Sequence, residues 1–304
     1  MKPSKCWLVA LSVLMCACGP GAAAEDPPAE KPKPIQYAKP RPLCKLANRA
    51  VSESSGIACS RRAKDVFWTH NDSGDRPRIY AFNTKGEDLG TFTVAGARAR
   101  DWEDMASFRL GKKCYLLLAD VGDNGASRPS CTLYIVEEPI LGKKPAKKGI
   151  GRATLVRTIE FKYDDGPRDC ESVAVDPKTR IIFLVSKIKG LQCKVYALPI
   201  PKRGNKETLV ARTVATVIVP MATAMDLSPD GGRCVVLTYG PALEFTRKPG
   251  QRWNKGFCEK PRQINMPSRR QGESICYGSD GKTLYLTSEG RPAPLWEVPA
   301  VEPK

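Results

Sequence analysis

The segment DWEDMASF, residues 101–108, recurs in outline four more times along the chain. Its counterparts, which align without gaps, are ESSGIACS (53–60), DCESVAVD (169–176), TAMDLSPD (223–230) and QGESICYG (271–278). The fifth residue of every segment is apolar, and these residues are 48, 68, 54 and 48 positions apart. A unit of about 40 to 50 residues that repeats in this way is typical of the blades of a β-propeller.

The sequence between these segments predicts strands. Short runs of β-branched and aromatic residues, such as VFWTH (66–70) and RIIFLVS (180–186), alternate with turns rich in Gly, Asp, Asn and Pro. We therefore predict an all-β chain that forms a single five-bladed propeller. Six blades are the alternative, because the 68-residue interval could contain another. The fifth unit has only three strands, so the segment around 42–50 is predicted to add the fourth and close the ring.

The first 24 residues are predicted to be a signal peptide. Lys2 and Lys5 precede an apolar run at 6–18, and Ala22–Ala24 offers a small-residue cleavage site. Lipid attachment at Cys18 is the alternative to simple cleavage. Residues 25–42 are rich in proline and charge and predict a linker, which leaves 43–304 for the propeller. The protein is thus expected to be exported, periplasmic or extracellular, with membrane contact only if Cys18 is lipidated.

Nine cysteines follow residue 24. In an exported protein they are expected to form disulfides, with one left over. Spacing does not determine the pairing, and Cys170 with Cys193 is a geometric guess. No CxxC pair is present, so zinc-ribbon and thioredoxin-type sites have no support.

Carboxylates are predicted to gather at one mouth of the central channel. If each repeat opens on the innermost strand of a blade, the start of that strand and the end of the next strand lie at the same mouth, because the two are antiparallel. The innermost strands then supply Glu53, Asp101, Glu103, Asp104, Asp169, Glu171, Asp226 and Glu273. The second strands supply Asp72, Asp120, Asp123 and Glu289. Every predicted blade contributes at least one acid.

Two roles for these acids stay open. Arg100, Arg168 and Arg270 each precede a glutamate by three residues, so arginines and carboxylates could pair in a lattice that orders the mouth. Alternatively, several carboxylate oxygens could hold a hard cation, Ca²⁺ or Mg²⁺. A single histidine leaves zinc with few ligands. The sequence contains no phosphate-binding glycine loop, so no nucleotide cofactor is predicted.

The order of motifs SSGIA, HNDSG, DWEDMA, ADVGDN, ESVAVD, DLSPDG, GESI and TSEG resembles that of secreted bacterial propellers. This group is akin to the SdiA-regulated and phytase-like esterase propeller families, and the resemblance covers about residues 50–299. It implies a propeller with a central cation at Glu103, Glu171 and Glu273. Met225 stands where a fourth acid would be expected, with Asp226 adjacent to it.

Each candidate residue has a predicted role. The predicted metal ligands are Glu103, Glu171, Asp226 and Glu273. The predicted ligand-binding residues are Asp72, Arg100, Asp120, Asp123, Arg168, Arg270 and Glu289. Should the face be catalytic, the candidates are Glu171, Asp101, His70 and Arg168. His70 is the only histidine, so any Ser–His–Asp mechanism would need it, with a hydrogen-bonding role as the alternative.

The predicted propeller and its acidic face suggest two alternative functions. The first is a non-catalytic exported propeller whose acidic face, organised by a cation, binds a small molecule, a polysaccharide or an envelope protein. The alternative is a metal-assisted hydrolase of phosphoesters or esters at the same face. The net charge of +17 is concentrated in loops and linkers such as 31–45 and 201–206, which could attract acidic polymers. Export makes nucleic acid an unexpected partner.

Overall fold

The computed structural model describes residues 35–142, 150–202 and 207–301. The predicted signal peptide, Cys18 and most of the predicted linker lie outside these residues. Two strands precede the first repeat, β1 (Gln36–Tyr37) and β2 (Arg41–Lys45). The last residues of the predicted linker, 36–37 and 41–42, therefore lie in strands.

The first four repeats each form a four-stranded antiparallel blade. Blade one contains β3 (Ser54–Cys59), β4 (Val66–Asn71), β5 (Arg78–Asn83) and β6 (Asp88–Val94). Blade two contains β7 (Trp102–Leu110), β8 (Lys113–Asp120), β9 (Cys131–Glu137) and β10 (Ile150–Tyr163). Blade three contains β11 (Cys170–Asp176), β12 (Ile181–Ser186), β13 (Gln192–Pro199) and β14 (Leu209–Ile218). Blade four contains β15 (Ala222–Leu227), β16 (Arg233–Thr238), β17 (Ala242–Thr246), the short helix α1 (Trp253–Gly256) and β18 (Arg262–Ile264).

Blade five is assembled from both ends of the chain. It contains β19 (Ser274–Tyr277), β20 (Leu284–Thr287) and β21 (Pro294–Val298), and β2 pairs with β21 as its outermost strand. Beyond it, β22 (Ala300–Val301) pairs with β1. The prediction of a propeller closed by an N-terminal strand is confirmed, with five blades among the described residues. The 68-residue interval belongs to blade two, whose 14-residue strand β10 also pairs in parallel with β6 and β14.

Apolar clusters fill the spaces between consecutive blades. The innermost strands contact one another in the ring order β3, β7, β11, β15 and β19. Trp68 and Trp102 lie between blades one and two, for example, and Ile275 packs with Ala224 between blades four and five. Because both faces of each blade meet a neighbour, the strands near the axis are apolar on both sides. Within the described residues α1 is the one helix, and its four residues are too few to cross a bilayer.

All nine cysteines that follow residue 24 are free, so the expected disulfides are not formed. Seven of them are buried, where they pack as small apolar side chains. Cys170 belongs to the cluster between blades two and three, whereas Cys193 belongs to the cluster between blades three and four. The guessed pair is therefore wrong, because the two thiols lie on opposite faces of blade three.

Candidate functional site

The starts of the innermost strands and the ends of the second strands meet at one mouth of the channel. Backbone hydrogen bonds join them there: the N–H of Asp72 donates to Glu53, and that of Lys187 donates to Asp169, at 2.9 and 3.0 Å. We call the carboxylates that interact around this opening the acidic mouth. Its members are Asp72, Asp101, Glu103, Asp169, Glu171, Glu273 and Glu289.

A bulge near the start of the innermost strand sets which residue faces the mouth. In blades one to four the pairing register shifts by one residue at that point, and the positions without a partner include Ser55, Glu103, Glu171 and Thr223. Glu273 precedes β19 at the matching position of blade five. The predicted alignment of blade four is therefore wrong by two residues, because Thr223 occupies the position given to Met225.

Asp226 consequently lies away from the acidic mouth. Its fully buried carboxylate accepts the N–H groups of Leu227 and Tyr277, both at 2.8 Å, and so joins blade four to blade five. Burial raises the pKa of Asp226 to about 6. The structure does not bring this residue together with Glu103, Glu171 and Glu273, and blade four adds no carboxylate to the mouth.

Asp72, Asp101 and Glu103 form one group that could hold a metal ion. One oxygen from each side chain lies within 4.8 Å of the others. Gly122 lies directly against them, and a Cβ atom at this position would collide with the carboxylates of Asp101 and Glu103. Only glycine leaves these oxygens their space. Asp72, Glu273 and Glu289 form a second such group among the described residues.

The buried glutamates of the mouth have few cationic partners. Glu171 pairs with Lys187, whose ammonium also donates to the hydroxyl of Tyr239 at 3.0 Å. Glu103 and Glu273 are only 4% and 6% exposed, and no lysine or arginine of the described chain forms an ion pair with either. Burying ionised carboxylates without a counter-charge is costly. Arg128 and Lys187 act on some of the other acids, but Glu103 and Glu273 have no cation of the described chain paired with them.

The pKa values of the mouth carboxylates are raised, as expected for buried acids with little counter-charge. Burial and the neighbouring Glu171 raise the pKa of Glu103 well above its ordinary value. Burial and Glu289 raise that of Glu273 to about 8. Burial raises the pKa of Glu171 to about 7 against the opposing effect of Lys187, and burial with Asp72 raises that of Asp101 to about 6. A bound divalent cation would favour the ionised forms and lower all of these values.

The predicted arginine–glutamate pairs are not formed. Arg168 instead pairs with Asp165 at 2.5 Å and lies over the rings of Tyr163 and Tyr196. Arg100 and Arg270 are exposed and have no ion pair with the described residues. An arginine lattice therefore does not account for the mouth.

Two of the predicted ligand-binding acids shape the loop that carries Gly122. Asp120 pairs with Arg128 at 2.9 Å and accepts the N–H groups of Arg100 and Asp101. Asp123 accepts the N–H of Arg128 at 2.8 Å. Both side chains are buried, and the hydrogen bonds fix the loop against the mouth.

His70 is fully buried in the interface between blades one and two. Its Nδ1 lies 3.0 Å from the carbonyl oxygen of Asn71, and its ring packs edge-on against Trp102 at 5.4 Å. Burial lowers its pKa. The structure thus places the predicted general base where solvent does not reach it, which fits the hydrogen-bonding alternative.

The fold and the site define a five-bladed β-propeller with an acidic mouth that is short of counter-charge. Among solved structures the chain is similar to a gluconolactonase from Xanthomonas campestris, with 12% identity, a TM-score of 0.45 and coverage of 82% of this chain and 72% of the other. It is also similar to a protein from Bacteroides uniformis assigned as a 6-phosphogluconolactonase, with 16% identity, a TM-score of 0.40 and coverage of 85% and 69%. Similarity this low carries no argument about activity, and the fold assignment rests on the strand pairing described above. No protein-family model and no curated protein matches the chain, so the family named from its motifs stays a prediction.

Proposed function

We propose that this protein binds an anionic, oxygen-bearing ligand through a hard divalent cation held by Asp72, Asp101 and Glu103. The observation that carries the proposal is Glu103, a buried carboxylate without a cationic partner whose oxygen lies within 4.8 Å of two others. Ca²⁺ is the ion we favour, because it takes six to eight oxygen ligands in flexible geometry. Three carboxylates therefore leave coordination positions for water and for the ligand.

Exposed cations around the mouth support an anionic ligand. Six of them lie in loops that connect strands at this end of the channel, and no ion pair with the described residues neutralises them: Arg76, Arg98, Arg100, Lys189, Arg270 and Arg291. A positive rim around a cation centre attracts phosphate, sulfate or carboxylate groups. In an exported protein, such groups would belong to a small molecule, a polysaccharide or an envelope protein.

Titration of chelator-stripped protein with Ca²⁺ in a calorimeter tests the cation. Glu103→Gln keeps the shape of the side chain but removes its charge, and we expect at least a tenfold loss of affinity, about 1.4 kcal/mol. Gly122→Ala keeps every ligand but fills their space, so it is expected to cause a similar loss. The control is Glu259→Gln, which changes an exposed acid between α1 and β18 of blade four and should leave affinity unchanged. Equal affinity for Glu103→Gln and the unaltered protein would refute the proposal.

A metal-assisted hydrolase is the second candidate, and the geometry of Glu171 favours it. Lys187 holds Oε1 of this side chain, while the buried Oε2 has no hydrogen-bond partner among the described residues. An oriented carboxylate with one free oxygen beside a cation site suits a general base.

Turnover of open-chain esters, lactones and phosphoesters in the presence of Ca²⁺ tests this candidate. If Glu171 is the base, Glu171→Gln should reduce turnover by 10² to 10⁴-fold. Ca²⁺ affinity, measured in parallel, should fall by less than in Glu103→Gln, because Glu171 neighbours Glu103 but is not one of the three proposed ligands. An absence of turnover across the panel would leave ligand binding as the function.

A further inference from the structure

We propose that the mouth holds two cations bridged by Asp72, with the second ion bound by Asp72, Glu273 and Glu289. This inference rests on the proposed function and extends it. One oxygen from each of the three side chains lies within 4.8 Å of the others, as in the first group. The two groups share only Asp72.

The position of Asp72 in the ring explains why it belongs to both groups. It follows strand β4 of blade one, and its N–H donates to Glu53 of the same blade. Blade one lies between blade two, which carries Asp101 and Glu103, and blade five, which carries Glu273 and Glu289. The Asp72 carboxylate therefore stands between two acidic pairs and can offer one oxygen to each.

Glu273 gives independent evidence that a ligand is missing from the second group. The residue is 6% exposed, and its Oε2 is buried without a hydrogen-bond partner among the described residues. Its Oε1 receives a long contact of 3.4 Å from the side-chain amide of Gln271, and the carboxyl of Glu289 beside it is a second acid that brings no positive charge. A buried acceptor without a hydrogen bond has lost its hydration without compensation, and the cost is larger when the group is charged.

Lys187 acts on Glu273 and exposed Arg270 acts on Glu289, but neither forms an ion pair with these two acids. Lys187 is held by Glu171 and Tyr239. Arg269 donates to the carbonyl oxygens of Thr238, Gly240 and Pro267. A metal ion is the partner that satisfies the free oxygen of Glu273 together with those of Asp72 and Glu289.

A bridged pair defines the chemical class of the ligand more closely. Two cations that share a carboxylate lie about 3.5–4 Å apart, and one oxyanion can contact both. A phosphate or carboxylate group fits this arrangement, whereas a neutral sugar hydroxyl does not supply the charge. The positive rim around the mouth selects for the same anions.

The number of Ca²⁺ ions bound per chain tests the inference, with Ca²⁺ alone as the probe. We expect native mass spectrometry and calorimetry of the full chain to give two ions. Glu289→Gln and Glu273→Gln should each retain the ion bound at Glu103. Glu103→Gln should retain the ion bound at Glu273 and Glu289. Asp72→Asn should weaken both sites by at least tenfold. Glu259→Gln, which changes an exposed acid between α1 and β18 of blade four, is the control and should bind two ions.

The possible outcomes separate this inference from the proposed function. One ion in the unaltered chain, lost in Glu103→Gln and kept in Glu289→Gln, would overturn the second site while the first survives. No ion in any variant would overturn both. Circular dichroism should confirm that each variant is folded. Glu289→Gln is the variant least expected to disturb the fold, because Glu289 is only half-buried.

Discussion

Replacing Asp104 with alanine is expected to lower the free energy of unfolding by about 3–5 kcal/mol, because several buried donors lose their acceptor together. Asp104 is fully buried near the channel axis. Its carboxylate accepts the N–H groups of Met105, Val173 and Met225 at 2.8, 2.8 and 3.0 Å. These three donors belong to the innermost strands of blades two, three and four, so alanine would leave three buried N–H groups unsatisfied at once. Urea unfolding at neutral pH measures the loss.

Two variants make this test specific. Asp104→Asn keeps one acceptor oxygen, so we expect roughly half of the alanine effect. Glu53→Ala removes an exposed carboxylate from the same side of the ring and should change stability by less than about 0.5 kcal/mol. If Asp104→Ala unfolds at the same urea concentration as the unaltered protein, the carboxylate does not link the blades as described.

The metal-free protein is expected to lose stability as the pH rises from 5 to 8. The folded-state pKa values of Asp101, Glu171 and Glu273 are raised to about 6, 7 and 8, mainly by burial. Folding therefore favours their protonated forms, and each pKa unit corresponds to at most about 1.4 kcal/mol. The unfolded chain releases these protons at lower pH, so raising the pH through 6 to 8 favours unfolding.

Ca²⁺ should remove this dependence, because a bound cation stabilises the ionised carboxylates. At a concentration about 100 times the dissociation constant, a ligand adds about 2.7 kcal/mol of stability, which corresponds to roughly 5–10 °C in melting temperature. Thermal melts at several pH values, with Ca²⁺ and with chelator, provide the measurement. Glu273→Gln is expected to flatten the profile of the metal-free protein. A flat profile before substitution would contradict the prediction.

Repetition in the sequence was enough to predict the propeller and its closure. Each blade repeats an apolar position on its innermost strand, and counting strands shows that the fifth unit is one short. The register of blade four could not be predicted in the same way. Side chains along a strand alternate with a period of two, so a slip of two residues exchanges Met225 for Leu227 and keeps every apolar face in place. Hydrophobicity therefore could not distinguish the two alignments.

The composition of the site was only partly predictable for a related reason. The gathering of Asp72, Asp101, Glu103, Glu171 and Glu273 followed from which ends of the strands meet. Contacts between blades could not be predicted in this way. Lys187 and Tyr239, for example, lie far apart in the chain and meet only when the ring forms. Spacing of three residues likewise says nothing about where an arginine side chain points. The first glycine of DVGDNG (120–125) was the available signal for the role of Gly122, since a glycine between acids often marks a place where other groups approach the backbone closely.

The construction of blade five from residues 41–45 and 274–298 has a consequence for biosynthesis. The outermost strand of this blade, β2, is synthesised early and the other three strands, β19 to β21, last. β2 therefore has no pairing partner from its own blade until translation is almost complete. Glu273 and Glu289 emerge in the same final portion. A chain that ends before blade five would carry five of the seven carboxylates of the acidic mouth and could not close the ring, so both are completed only at the end of synthesis.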